Sequence, residues 1–320
     1  MDGSSVNLPT QRRVLNPRNT NPNLSGITSP IFDSLDQRAI LWSCAPKDVN
    51  IFHCNVGDCH AAGQLPITFF RQIMAGLCLP CLLDDITFPT DVKRRVKLIR
   101  NSCHGHSVGS YSDILGIRTL REAVADFIEQ RDEFPSNIDD IFLTCGATEA
   151  IRYLLCLLST GLDGAKRAGI MLPIPQFPFY SATITEFNLY QIGYYLDETR
   201  NWDLNPEELT RALTEARDRC IPRAIVVINP GNPTGQVLSR ESMEQVIRFA
   251  VQHGLVLLAD EVYQFNVHYP EFYPWISFKR VLHEMGAGFA DRLEMASFMS
   301  CSKGYVGEYV SLSPIHSSAL

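Results

Sequence analysis

Leu255-Val256-Leu257-Leu258-Ala259-Asp260-Glu261-Val262-Tyr263 runs from an unbroken apolar stretch straight into a carboxylate. A run that is apolar on both faces reads as a strand covered on both sides, the habit of parallel sheets rather than half-exposed antiparallel ones. A carboxylate at the end of such a strand is expensive to desolvate unless a cation or hydrogen-bond donors meet it. Asp260 therefore needs a partner. A turn or a structural arginine would serve, and so would a protonated ring nitrogen, which a carboxylate keeps protonated and electron-withdrawing. Tyr263 can turn a phenol into the same pocket.

The flanking sequence repeats the alternation. Segments 140–144, 169–172, 190–195, 224–228 and 295–299 read as further strands. Segments 120–131, 147–158, 205–219 and 239–253 carry apolar residues at helical spacing, the last two opening on Asn205-Pro206 and Ser239. Strands spaced by helices predict an α/β fold with a mostly parallel central sheet between helices. Ligands of such sheets bind at the carboxyl ends of the strands. The chemically distinctive stretches fall there: 146–148, 173–180, 229–235, 260–263 and 300–303.

Composition narrows the class. The chain has 320 residues, 45% hydrophobic and 20% charged, enough for one large α/β domain or two smaller ones. A net charge of -7 with no basic stripe argues against nucleic acid as a partner; Lys93-Arg94-Arg95-Val96-Lys97 has the spacing of a solvated helix face. No apolar stretch reaches the ~18 residues of a membrane span. Residues 1–24 carry no apolar signal core, and Pro9, Pro17 and Pro22 interrupt the amphipathic helix of a mitochondrial presequence, so a cytoplasmic location is expected ahead of a mitochondrial one.

Ten cysteines without a secretion signal read as reduced thiols. Cys78-Leu79-Pro80-Cys81 lacks a second pair at zinc-ribbon spacing and closes a helix-like segment, and His104-Gly105-His106 stands alone, so no metal site is assigned.

The other strand ends carry complementary chemistry. Lys303 follows an apolar strand within Ser300-Cys301-Ser302-Lys303-Gly304. A partly desolvated amine there is a competent Schiff-base former and general base, although a lone lysine after a strand is ordinarily a surface residue. The prolines and glycines of Asn229-Pro230-Gly231-Asn232-Pro233-Thr234-Gly235 make a stiff turn from which Asn232 can donate its amide to a phenolic oxygen. Gly146-Ala147-Thr148 opens a helix directly after a strand, and the free N–H groups of its first turn suit a phosphate. Phe177, in a proline-stiffened loop, can stack on a flat ring or simply fill core.

Together these stretches resemble the fold-type I pyridoxal phosphate aminotransferases, with most similarity to their alanine aminotransferase branch. The resemblance also rests on Asn55-Val56-Gly57-Asp58, Gly63-Gln64-Leu65-Pro66-Ile67-Thr68-Phe69, Gly109-Ser110-Tyr111-Ser112 and Pro175-Gln176-Phe177-Pro178-Phe179-Tyr180. It implies a pyridoxal 5'-phosphate cofactor carried by Lys303, which then moves the substrate proton. Asp260 would pair with the pyridine nitrogen, Asn232 and Tyr263 would hold the phenolic oxygen, and Phe177 would stack on the ring. Ala147, Thr148 and Ser300 would hold the phosphate. Tyr111 would reach the phosphate of the second subunit of a homodimer, and Gly57 would lie near the substrate carboxylate. The implied reaction converts L-alanine and 2-oxoglutarate to pyruvate and L-glutamate. Another class I/II aminotransferase, a carbon-sulfur lyase, or a non-catalytic fragment pairing with a full-length subunit are the alternatives.

The same resemblance divides the chain into an N-terminal arm with the start of an incomplete small domain (1–50), a cofactor-binding large domain (51–308) and a tail unlike the family (309–320). Where the family continues with an arginine-bearing Gly-Tyr-Arg-Gly-Gly-Tyr-like segment, this chain reads Tyr309-Val310-Ser311-Leu312-Ser313-Pro314. The expectation is a missing C-terminal small domain, with the arginines that grip the phosphate and the substrate carboxylate absent. Weak or absent transaminase activity would follow.

Overall fold

The computed structural model describes residues 20–27 and 57–307, together with the backbone of 313–318. In chain order the main elements are α1 (Thr68–Cys78), α2 (Thr90–Asn101), α3 (Arg118–Asp132), β1 (Ile141–Thr144), α4 (Ala147–Leu158), β2 (Ala168–Ile174), α5 (Phe179–Glu186), β3 (Tyr190–Tyr195), α6 (Pro206–Ala216), β4 (Ile221–Ile228), α7 (Arg240–His253), β5 (Val256–Asp260), α8 (Phe278–Glu284), β6 (Met295–Phe298) and β7 (Ser313–Ser318). Most of the arm expected over 1–50 lies outside the described residues, as do Asn55, Val56 and 308–312.

Local chemistry sets the helix limits. Asn205 caps α6 by accepting from the Glu207 N–H, with Pro206 in the first turn. Ser239 accepts from the Ser242 N–H to open α7, and Gly254 closes it at φ 64°, a left-handed conformation that glycine adopts without strain. The basic run lies on α2, which buries Val92 and Val96 and leaves the charges outward.

The strands form one seven-stranded sheet in the order β1-β7-β6-β5-β4-β2-β3. The pairs β2–β3, β2–β4, β4–β5 and β5–β6 are parallel, and β7 runs antiparallel to both β1 and β6. The mostly parallel sheet is therefore as expected, with a strand at 313–318 that the sequence did not announce.

Alternation along β4 assigns the two faces. Ile225 and Val227 join a cluster with Leu209 and Leu213 of α6, Met243 and Val246 of α7, and Phe278 of α8. Ala224, Val226 and Ile228 join another with Ile151 and Leu155 of α4 and with Tyr180 and Ile184 of α5. The sheet is thus buried between two helical layers. Burial of this kind contributes about 25 cal/mol per Å² of apolar surface removed from water. Among the described residues no helix is long and apolar enough to cross a membrane.

Chain order reverses between β2 and β4: β2 and β3 extend the sheet one way, whereas β4, β5 and β6 extend it the other. Such a switch leaves a crevice at the carboxyl ends of the strands. Asp260, in register with Ile228 on one side and Phe298 on the other, ends the central strand there.

Candidate active site

Asp260 is 5% exposed. Its Oδ2 accepts from the Tyr180 hydroxyl at 2.8 Å and its Oδ1 from the Val262 N–H at 3.3 Å. Burial pushes its carboxyl up to about 6, against the opposing pull of those two donors. Among the described residues no cation forms an ion pair with it. A buried carboxyl supplied with neutral donors and no cationic side chain is suited to a cationic heteroaromatic nitrogen.

The stiff turn after β4 places the Asn232 amide 3.3 Å from the Tyr263 hydroxyl, to which it donates. Both residues are half-buried, and two polar groups from neighbouring strand ends meet here. Gly231 inside this turn has no room for a side chain, because an added Cβ would meet Gln236 and Thr234.

Lys303 follows β6 and is half-buried. Its Nζ donates to the Gly57 carbonyl at 2.8 Å, and a Cβ added at Gly57 would lie 3.5 Å from that nitrogen. The loop carrying the lysine is pinned at several points. Ser300, 4% exposed, donates through Oγ to Ser302 Oγ at 2.9 Å and accepts from the Ser302 N–H at 3.0 Å. The Gly304 N–H donates to Asn266 Oδ1 at 3.0 Å, and Gln64 Nε2 donates to the Val306 carbonyl at 2.7 Å.

Gly146 precedes α4 at φ 97° and ψ 157°, a conformation essentially reserved for glycine. The first-turn amides of Ala147 and Thr148 have no acceptor within their own helix. Ala147 is half-buried and Thr148 exposed. Phe177 is partly buried against the cluster containing Ala150 and Leu172, with its ring 6.0 Å from that of Phe179. Tyr111 stands apart at 97% exposure.

The geometry thus joins Asn232 to Tyr263 and Gly57 to Lys303, and leaves Tyr111 outside both pairs. It adds residues to which no role was assigned: Tyr180 on Asp260, Gln64 and Asn266 on the lysine loop, and Glu261 behind the site. Glu261 is fully buried, accepts from the Phe278 N–H at 2.8 Å and from Ser297 Oγ, and is pushed up to about 7 by burial while the Arg131 charge opposes the shift. Tyr180 and Gln64 lie inside stretches that carried the resemblance, but nothing in their spacing names their partners.

These residues supply a buried anion for a ring nitrogen, polar groups for a ring oxygen, a helix start for a phosphate and an amine. That donor set fits pyridoxal phosphate.

Comparison with known proteins agrees. The family model described as "Aminotransferase class I and II" matches residues 83–307. The chain is 53% identical over 259 residues to alanine aminotransferase 1 of Mus musculus, covering 81% of this chain and 52% of that protein. It is 46% identical over 308 residues to an alanine aminotransferase 2-like protein of Danio rerio, covering 94% and 56% respectively. The chain therefore spans about half the length of the curated relatives it matches. Among solved structures, an aminotransferase from Escherichia coli superposes with a TM-score of 0.69 at 19% identity, covering 95% of this chain and 63% of that one. An alanine aminotransferase from Pyrococcus furiosus gives 0.68 at 18%, with coverage of 93% and 63%, and at this identity both speak for the fold alone. With the family model spanning β1 to β6 and the strand-end residues gathered as described, the chain belongs to the class I and II aminotransferase family.

Proposed function

We propose that this chain is the pyridoxal phosphate-binding part of an alanine aminotransferase, exchanging an amino group between L-alanine and 2-oxoglutarate. The observation that carries the reading is the pairing of Lys303 Nζ with Gly57 in the loop after β6, together with a buried carboxyl, Asp260, at the end of the adjacent strand β5 with no ion pair to a described cation. The identity to proteins named alanine aminotransferase supports the substrate assignment.

Pyridoxal phosphate, when bound, supplies an electron-withdrawing ring that acidifies the substrate α-hydrogen. Asp260 keeps the ring nitrogen protonated. Asn232 and Tyr263 hold the phenolic oxygen, and Phe177 packs on the ring face. Ala147, Thr148 and Ser300 bind the phosphate, through the first turn of α4 and a hydroxyl. Lys303 anchors the group and moves the proton at the substrate α-carbon. Gly57, next to the lysine, leaves space for the substrate carboxylate.

A homodimer belongs to this proposal: the exposure of Leu65, Ile86, Tyr111 and Ile114 suits contact with a second copy, to whose site Tyr111 would contribute. A cytoplasmic location belongs to it as well. So does the division into a 1–50 arm, a 51–308 cofactor domain and a 309–320 tail.

The visible spectrum of the purified chain with added pyridoxal phosphate, before and after L-alanine, tests the reading against a Lys303→Ala control. A band that needs Lys303 and is converted by alanine supports it. Conversion by a different amino acid points to another aminotransferase, and release of a thiol from a sulfur amino acid to a lyase. A chain that gives no lysine-dependent band is not a catalytic unit.

A further inference from the structure

Tyr180 lies near the start of α5 and is fully buried in the cluster formed with Leu172, Val226, Ile228 and Phe298. A phenol in such surroundings must hydrogen-bond or forfeit its solvation. Its hydroxyl has gone to Asp260 Oδ2 at 2.8 Å, linking α5 to the end of β5 across 80 residues. Burial and the neighbouring carboxylate hold the phenol well above its ordinary range, so it stays protonated and can only donate to Asp260.

The consequence for the carboxylate is directional. Oδ2 is fixed by Tyr180, and Oδ1 takes only the longer 3.3 Å contact with the Val262 N–H. The residues in register on either side, Ile228 of β4 and Phe298 of β6, are apolar. The Tyr194 phenol of β3, which belongs to the cluster on the other face of the sheet, donates to the Val226 carbonyl at 2.7 Å. Glu261 is turned toward Phe278 and Ser297, with Arg131 as its countercharge. The groups that set the proton affinity of Asp260 are its own burial, the Tyr180 hydroxyl and the Val262 amide.

We propose that Tyr180 is a positioning residue for Asp260: its hydroxyl fixes the rotation of the carboxylate and favours the anionic form that pairs with the cofactor ring nitrogen. The proposal rests on the reading of this pocket as a pyridoxal phosphate site. A hydrogen bond to an ionised acceptor stabilises that form over the neutral one, so its loss makes Asp260 easier to protonate. A neutral carboxyl cannot serve as countercharge to a protonated ring.

The test has one arm without cofactor and one with it. Carbon-13 carboxyl NMR, with Asp260→Asn identifying the resonance, follows the titration of Asp260 in the cofactor-free protein. Tyr180→Phe, which keeps the ring in the core, is expected to move the midpoint up by about half a unit or more. Placing 3-fluorotyrosine, a stronger donor, at position 180 is expected to move it down, which covers the case of a poorly folding Tyr180→Phe. In the second arm Tyr180→Phe weakens pyridoxal phosphate binding at pH 7 roughly 3- to 10-fold, and causes no further loss when added to Asp260→Asn. An unmoved NMR midpoint in both variants, or an equal loss in both backgrounds, overturns the proposal. Failure of the wild-type protein to bind pyridoxal phosphate overturns the proposed function instead, while the NMR arm still reads the Tyr180–Asp260 link.

Discussion

The Lys303 Nζ donates to the Gly57 carbonyl at 2.8 Å, so the end of β6 and a segment preceding α1 meet at one nitrogen. A backbone carbonyl that accepts from the amine helps to aim its flexible four-carbon stem. Borohydride reduction with pyridoxal phosphate, followed by peptide mass spectrometry, is expected to find the cofactor fixed at Lys303. Lys303→Ala should remove that adduct, leaving only adventitious surface labelling.

Asn232 and Tyr263 share one hydrogen bond and, in the proposed site, one ligand atom. Asn232→Ala and Tyr263→Phe should each weaken pyridoxal phosphate affinity roughly 3- to 10-fold, the cost of one net hydrogen bond. The double variant should lose less than the sum of the two, because each single change already disturbs the shared contact. Fluorescence titration of all three proteins decides it, and strict additivity would count against a common target.

Gly146→Ala forces a β-carbon into a conformation at φ 97° that side-chain-bearing residues avoid. The expected loss is about 1 to 3 kcal/mol of stability, visible as a lower urea midpoint at unchanged m-value. Cofactor affinity should fall further than stability does, because the first turn of α4 moves with the residue.

Two buried carboxyls give the cofactor-free protein an inverted acid response. Asp260 and Glu261 are pushed up to about 6 and about 7. Between the ordinary carboxylate range and those values the folded protein holds more protons than the unfolded chain, so stability falls as pH rises, by the linkage relation. From about pH 4.5 to 7 these two groups should therefore lower the melting temperature, and Glu261→Gln should reduce the slope. Glu149, Glu186 and Glu208 have the opposite sign, held below their usual value chiefly by hydrogen bonds from Tyr153, Arg152 and Arg211. Their contribution is present above the unfolded value and is lost at more acidic pH. A melting temperature that rises steadily from pH 5 to 7, with Glu261→Gln behaving as wild type, would contradict the assignment.

Helix α4 occupies the segment its apolar spacing predicts, and β3 likewise, because both are long enough for one period to dominate. Other strands shift by a residue or a few: β4 begins at Ile221 rather than 224, since its first residues lie in the less buried part of the sheet. Helix α5 was not legible. Pro175 and Pro178 made its approach look like loop, and Thr183, Ile184 and Thr185 are poor helix formers held by packing against the sheet. Strand β7, with Pro314 and three serines, has no strand-like composition and is defined by its pairing with β1 and β6.

The site divides along the same line. Asp260, Lys303, Asn232 and Tyr263 were legible because a short motif carries each of them to a strand end. Tyr180 was not, since its partner lies 80 residues away and only the packing of α5 on β5 brings the two together. Glu261 was hidden for a similar reason: its acceptors' donors, Phe278 and Ser297, come from α8 and β6.

Among the described strands, β1 joins the sheet through β7 alone: Ile141 registers with His316, and no other described strand borders it. The turn after β1 carries Gly146 and the start of α4. During vectorial synthesis this early segment can be spun out, and its helix formed, long before its neighbour in the sheet exists. Contacts so distant along the chain are slow to close. The corner of the molecule proposed to hold the phosphate is therefore among the last parts to reach its final register, and a nascent chain stalled before residue 313 would carry a finished β2–β6 platform beside an unmoored turn.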